Sequence, residues 1–106
     1  MNLVTRIALI LSVLTASSVA VRADLITDWN AVVFDIMRAG NVEGAPAARI
    51  LAIVHVSMAD AVNTAQNRYT RYAYQGKLQP GASPDAAVAS AARNALVSLF
   101  PAADQD

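Results

Sequence analysis

Apolar residues recur every three or four positions in three stretches of the chain, which is the spacing of amphipathic helices. The first predicted helix covers residues 28–39, with Thr27 or Asp28 as its N-cap and Gly40 directly after its end. Its apolar stripe consists of Trp29, Val32, Val33, Ile36 and Met37. Phe34 lies about 140° from that stripe, because each residue turns a helix by about 100°, so its burial requires a further neighbour.

The second predicted helix, residues 46–66, is apolar on nearly every side. One line of its surface holds Ile50, Val54 and Ala61, the flanks hold Leu51, Met58 and Val62, and the far side holds Ile53 and Val56. A helix of this kind normally lies at the centre of a bundle, and three helices scarcely enclose it. We therefore expect this helix to belong to a larger helical bundle.

The third predicted helix, residues 84–100, has a well-marked start. Ser83 caps it, Pro84 occupies its first turn, and Asp85 meets the positive end of the helix dipole. Its apolar face consists of Val88, Ala91, Ala92, Ala95, Leu96 and Leu99, and Pro101 ends it. Since strand-like alternation is hard to find in the chain, the predicted fold is all-α with three main helices.

Residues 1–23 have the pattern of a signal peptide. A basic start precedes the uncharged, mostly apolar residues 7–21, and Val21 and Ala23 are small residues at the positions that a signal peptidase reads. A membrane anchor is the alternative, but this run is shorter than the roughly 20 residues that span a bilayer. We therefore predict cleavage after Ala23 and export of residues 24–106 to a periplasmic or extracellular location.

The charge balance of the exported part limits its partners. Two arginines, Arg6 and Arg22, leave with the signal peptide, so six basic and eight acidic residues remain and the net charge is 6 − 8 = −2. A broad surface for nucleic acid or for an anionic membrane needs a basic excess, so we expect neither partner after cleavage. The chain has no cysteine, which excludes disulfides and thiolate metal sites.

Three polar side chains of the second helix, His55, Asp60 and Asn63, are candidates for chemistry. Five residues of helix separate His55 from Asp60 by about 140°, whereas metal pairs on one helix prefer positions i and i+4. We interpret Asp60 and Asn63 as structural hydrogen-bonding residues in a buried helix interface, and His55 as a buried or rim residue without chemistry. No catalytic, cofactor-binding or metal-binding residue is predicted.

The segment between the second and third helices, NRYTRYAYQGKLQPGA, alternates aromatic and basic residues. It contains Tyr69, Tyr72 and Tyr74 together with Arg68, Arg71 and Lys77. Aromatic and basic residues in this arrangement can form a stacking platform for single-stranded nucleic acid. The favoured interpretation is a lid of tyrosines that lie on the helix bundle with their hydroxyl groups in water.

Four segments, in order along the chain, carry a family resemblance. TDWNAVVFDIMRAG, PAARILAIVHVSMADAVN, RYTRY and PGASPDAAVASAARNALVSLFPA resemble the amino-terminal helical region of bacterial vanadium-dependent haloperoxidase-like proteins, which share a superfamily with type 2 phosphatidic acid phosphatases. The resemblance extends from Thr27 to Ala102. Ala59 departs from it where an aromatic residue is expected, and Arg93 departs where histidine is common.

The resemblance implies an enzyme whose oxyanion pocket holds vanadate for halide oxidation or phosphate for ester hydrolysis. The family builds that pocket from the motifs K-x6-R-P, P-S-G-H and S-R-x5-H, and none of them is present. The only lysine, Lys77, is followed seven positions later by Pro84, and the only histidine, His55, follows Val54. We therefore expect an inactive amino-terminal scaffold, truncated before the catalytic motifs, with vanadate bound only in a full-length family member.

The expected partners of such a scaffold are the remaining helices of its parent chain or a second copy. The alternative is a small, free-standing secreted helical protein that binds a partner through apolar helix faces. A scaffold fragment should be molten or aggregated in isolation, whereas an independent module should unfold cooperatively.

Overall fold

The computed structural model describes residues 21–104, with side chains described from residue 25 to residue 102, and this part of the chain is all-α. Helix α1 is Val21–Ala39, α2 is Gly44–Gln66, and α3 is Pro84–Leu99, followed by the 3-10 turn Pro101–Asp104. The prediction of an all-α fold with three main helices is confirmed. Residues 1–20 of the predicted signal peptide lie outside the described residues, and the expected cleavage point lies in the first turn of α1.

Helix α1 begins seven residues earlier than predicted, because Leu25 and Ile26 continue the apolar face and pack against the core. At its other end, the Gly40 N–H donates to the Ile36 carbonyl at 3.0 Å. Asn41 then adopts the left-handed conformation, with φ 52°, which asparagine tolerates better than most residues. This turn reverses the chain into α2.

Helix α2 begins two residues before the predicted start and ends at Gln66 as predicted. Asn67 caps it in the left-handed conformation and donates its N–H to the Asn63 carbonyl at 2.8 Å. Helix α3 starts as predicted: the Ser83 hydroxyl accepts the Ala86 N–H at 3.2 Å. It ends at Leu99, one residue earlier than expected.

The hydrophobic core is formed where the three helices meet. Its buried members are Val33, Met37, Val54, Met58, Val88, Ala92 and Leu96. On α1, Leu25 and Trp29 precede Val33 and Met37 at intervals of four, so this line marks the centre of the buried face. Val32 lies about 100° away from Val33 and is 42% exposed, so its predicted place in the buried stripe is wrong.

Phe34 lies on the opposite flank of that line and is 48% exposed, in agreement with the prediction that its burial needs another neighbour. On α3, the predicted face is confirmed, because Val88, Ala92 and Leu96 are buried and Ala95 and Leu99 pack against them. Helix α3 lies mainly against α2, and α1 crosses both with smaller contacts.

Helix α2 is only partly covered by the rest of the described chain. Only four of its 23 residues are buried, namely Val54, Met58, Asp60 and Asn63. Ile53 and Val56, on the predicted far side, are partly exposed. By length and composition alone, α2 is the one helix in the described part of the chain that could cross a membrane, and core helices of soluble proteins meet the same criterion.

Adjacent valines on α1 allow a matched test of this packing. Val33→Ala should lower the free energy of unfolding by about 1 to 3 kcal/mol, because it removes buried methyl groups and leaves a cavity. Val32→Ala makes the same chemical change at a 42% exposed position and should cost less than about 0.5 kcal/mol. Thermal melts followed by helical circular dichroism measure both; equal losses would contradict the described core.

Candidate functional site

The most distinctive polar feature of the structure is the buried carboxylate of Asp60, which is only 6% exposed. It accepts hydrogen bonds from three consecutive backbone N–H groups: Tyr72 donates to Oδ1 at 2.6 Å, and Ala73 and Tyr74 each donate to Oδ2 at 2.8 Å. All three donors belong to the segment that joins α2 to α3, residues 67–83, which we call the connector. One side chain therefore fixes the middle of the connector to α2, and we call these three hydrogen bonds the Asp60 clamp.

The backbone N–H groups of the connector need a hydrogen-bond acceptor at this position. Backbone N–H groups that enter neither a helix nor a sheet must find another partner, and successive amides of an irregular turn can form a concave site for an anion. A carboxylate supplies several lone pairs in a small volume, so it can satisfy three amides at once. Asp60 thus takes the place that a bound anion would take in such a site.

Further hydrogen bonds close the connector on both sides of this clamp. The Gln79 N–H donates to the Thr64 carbonyl at 2.8 Å, and the Thr64 hydroxyl donates to the Asp60 carbonyl at 2.7 Å. Arg71 donates to the Gly76 carbonyl at 2.6 Å, and its guanidinium carbon lies 5.5 Å from the centre of the Tyr74 ring. The far end of the Tyr74 side chain occupies the space that a Cβ on Gly76 would need, so a larger residue at this position would require that ring to shift.

The pKa of Asp60 reflects two opposed effects. Burial disfavours the charged form and alone would raise the pKa of the carboxyl group. The hydrogen bonds from the Tyr74, Ala73 and Tyr72 amides, together with the positive charge of Arg71, outweigh burial and lower the pKa below its ordinary value of 3.8. The carboxylate is therefore ionised at neutral pH, and its charge contributes to folding.

A groove of about 580 Å³ lies beside this clamp, between α2, α3 and the connector. Small side chains form much of its walls, among them Ala61 and Ala65 of α2 and Ala87 and Ala91 of α3, while Tyr74 of the connector lines one side. Its size is within the range of small-molecule sites, and its small residues would also let another helix approach closely.

His55 occupies a different part of the surface. Its ring is exposed, and Nε2 lies 2.8 Å from Oδ1 of Asn30 on α1. A second, smaller groove of about 330 Å³ is lined by residues that include His55, Asn63 and Arg68. Asp60 does not line this groove. No group of three or more metal-binding side chains is found among residues 21–104.

The structure partly agrees with the predicted roles of these residues. Asp60 and Asn63 are both buried, and Asp60 has a structural role as predicted. The predicted helix–helix interface is wrong for Asp60, because its partners are connector amides. His55 lies on the rim, and its Asn30 partner was not predicted, because 25 residues separate them and no periodicity relates them.

The predicted tyrosine lid is wrong for Tyr72. Tyr72 is 81% exposed and lines neither groove, whereas Tyr69, although 77% exposed, lines the smaller groove beside His55. Only Tyr74 lines the groove between the helices. The reason for the exposure of Tyr72 is that it is attached to Asp60 through its backbone N–H, which leaves its side chain directed to solvent.

Comparison of the chain with known protein families, with characterised proteins and with solved structures finds no match. Function must therefore be inferred from the residues of this chain and their geometry.

Replacing the Asp60 carboxylate tests the clamp directly. Asp60→Asn keeps the size of the side chain but removes its charge and one acceptor oxygen, so it should lower the free energy of unfolding by about 1 to 3 kcal/mol. It should also speed trypsin cleavage after Arg71. Asp35→Asn, which breaks only the exposed pair with Arg38, is the control and should change stability by less than about 0.5 kcal/mol.

The lowered pKa also predicts the pH dependence of stability. A depressed carboxyl pKa stabilises the fold above the pKa of the unfolded chain, and that contribution disappears as pH falls through the folded pKa. The stability difference between the unsubstituted chain and Asp60→Asn should be constant above about pH 5 and shrink below about pH 4. Melting curves from pH 7 to pH 3 measure it; a difference that grows on acidification would show that the sign is wrong.

Proposed function

We propose that residues 24–106 are the amino-terminal helical scaffold of an exported enzyme similar to vanadium-dependent haloperoxidases or acid phosphatases. In this proposal, further helices of the parent chain cover α2 and carry the oxyanion pocket. The scaffold by itself performs no catalysis, and its role is to support and position the catalytic helices.

The observation that carries the proposal is the incomplete burial of α2. This helix is apolar on nearly every side, yet only four of its 23 residues are buried by α1, α3 and the connector. Other large apolar residues, such as Ile53 and Val56, are only half-buried, and a helix that is apolar on nearly every side is normally enclosed by additional helices or by a partner. The alanine-lined groove beside Asp60 offers a place where another helix could pack closely.

The Asp60 clamp gives additional support. Two of the segments on which the resemblance depends are PAARILAIVHVSMADAVN and RYTRY, which are separated in sequence. The hydrogen bond from the Tyr72 N–H to Asp60 joins the end of the second segment to the first. The two segments therefore act as one structural unit, as is expected when they belong to one inherited scaffold.

The residues of this chain do not fit a vanadate site. Such a site needs several cationic donors around an oxyanion and a histidine as ligand. His55 contacts the amide oxygen of Asn30, and among the described side chains Arg68 is the one cation that lines the same groove. Vanadate or phosphate chemistry would therefore depend on residues supplied by the rest of the parent enzyme.

A free-standing secreted binding protein is the second candidate. It is favoured by the core itself, because all three helices contribute to one cluster of seven buried residues. In that case the exposed side chains of Val32 and Phe34 on α1 would contact a partner protein.

The solution behaviour of the chain separates the two candidates. If it is a scaffold, the chain alone should bind a hydrophobic dye, self-associate and lose its helical signal gradually on heating. Ile53→Lys should reduce self-association, because it places a charge at a half-buried apolar position, whereas Ala48→Lys at an exposed position should not. A monomer that binds no dye and unfolds cooperatively would favour the binding protein.

The coding sequence gives an independent test. Downstream of the Asp106 codon we expect K-x6-R-P, then a Ser-Gly-His segment, then an arginine followed six residues later by a histidine. These groups would clamp an oxyanion and place the two histidines on opposite sides of the reacting centre. A stop codon at that point, together with cooperative folding, would overturn the scaffold proposal.

A further inference from the structure

The connector holds most of the exposed large apolar side chains of the described chain. Six such residues are exposed, and four of them belong to the connector: Tyr69 at 77%, Tyr72 at 81%, Tyr74 at 47% and Leu78 at 40%. The same segment, residues 67–83, contains three basic residues and no acidic residue. Its local charge is therefore +3, although the exported region as a whole has an acidic excess.

Two of the three cations are available to a partner. Arg71 is occupied, because it donates to the Gly76 carbonyl and lies against the Tyr74 ring. Arg68 and Lys77 make no hydrogen bond or ion pair with any other residue in the part of the chain that the structure describes. Their charges flank the exposed Tyr69 and Tyr72 side chains along the connector.

The Asp60 clamp orders the connector before any partner binds. The Asp60 carboxylate on α2 accepts hydrogen bonds from the backbone amides of Tyr72, Ala73 and Tyr74. The connector is therefore held in place without burial of its exposed aromatic side chains. Ordering a flexible loop on binding would cost free energy, and a loop that is already fixed avoids most of that cost. The exposed side chains are thus presented in advance of any contact.

We propose that the connector docks on the surface of a lipid bilayer that contains anionic phospholipids. Tyrosine rings are favoured at the boundary between headgroups and acyl chains, where the ring is partly buried and the hydroxyl stays in water. Leu78 adds apolar contact, and Arg68 and Lys77 face the anionic headgroups. The net charge of residues 24–106 led us to expect no membrane contact. That sum includes acidic residues outside the connector, whereas the connector itself contains basic residues and no acidic ones.

Two observations favour lipid over single-stranded nucleic acid. A nucleic-acid strand is held by a series of phosphate contacts, and within the connector only Arg68 and Lys77 are available for them. In addition, the connector exposes the side chain of Leu78, which is apolar and cannot stack on a base. Apolar surface next to basic and aromatic residues suits a bilayer interface better than a phosphate backbone.

A local fluorescent probe tests this proposal in the full chain. Because the chain has no cysteine, Thr70→Cys introduces a single site in the connector for an environment-sensitive dye. Its emission should shift to the blue with vesicles of phosphatidylglycerol and phosphatidylcholine, and not with pure phosphatidylcholine. The reference is Ala48→Cys, labelled at an exposed site on α2, and the emission of its dye should not shift. The comparison of the two dyes separates docking of the connector from binding through other parts of the chain.

Matched substitutions in the Thr70→Cys background identify the contacts. Each cation near an anionic bilayer contributes about fivefold in affinity, so Arg68→Gln with Lys77→Gln should weaken vesicle binding about 30-fold. Tyr69→Ser with Tyr72→Ser should weaken it as well. The controls are Arg38→Gln with Arg49→Gln, an equal charge loss on helices, and Val32→Ser with Phe34→Ser, an equal loss of two exposed apolar side chains. Both control pairs should bind vesicles like the unsubstituted chain.

Three results would overturn the proposal. The first is a connector probe that does not respond to anionic vesicles. The second is equal weakening by the control pairs, which would show that binding is not specific to the connector. The third is a response to oligothymidylate that exceeds the response to vesicles at the same ionic strength, which would assign the surface to single-stranded nucleic acid instead.

Discussion

The charge of Asp60 is the constraint on which the rest of this structure depends. A buried carboxylate is unfavourable unless hydrogen bonds replace the water that it loses. Three consecutive connector amides supply those bonds, and Arg71 adds a positive charge nearby. The same bonds fix the path of the connector, form one side of the alanine-lined groove and leave Tyr69 and Tyr72 exposed. A single polar residue on an apolar helix thus determines the shape of the surface around it.

The small core sets the second limit on the fold. Seven buried residues, drawn from three helices, hold the helices together, but they cover only part of α2. The remaining apolar surface is what connects the structure to function, because a scaffold would bury it under further helices and a binding protein would bury it under a partner. Docking of the connector on a membrane is compatible with both, since the connector lies outside the core.

Local signals in the sequence identify the helices, but not the contacts between distant segments. Apolar spacing finds all three helices, and the Ser83-Pro84-Asp85 start of α3 is correct to the residue. The amino-terminal turns of α1 escape prediction, because residues 21–27 resemble the end of a signal peptide as much as the start of a helix. The partners of Asp60 lie 12 to 14 residues away in an irregular segment, where no periodicity relates donor to acceptor. A lone acidic residue on an apolar helix, followed by a connector without acidic residues, is the one sequence signal that could have indicated this clamp.

Amide hydrogen exchange at the connector tests the role of Asp60 most directly. If the carboxylate holds the connector, the amides of Tyr72, Ala73 and Tyr74 should exchange more slowly than that of Gln75, and Asp60→Asn should accelerate all three by at least about tenfold. The exchange of Gln75 should change little, so it serves as an internal reference. If these three amides exchange as fast as Gln75 in the unsubstituted chain, or if Asp60→Asn leaves their rates unchanged, the carboxylate does not hold the connector.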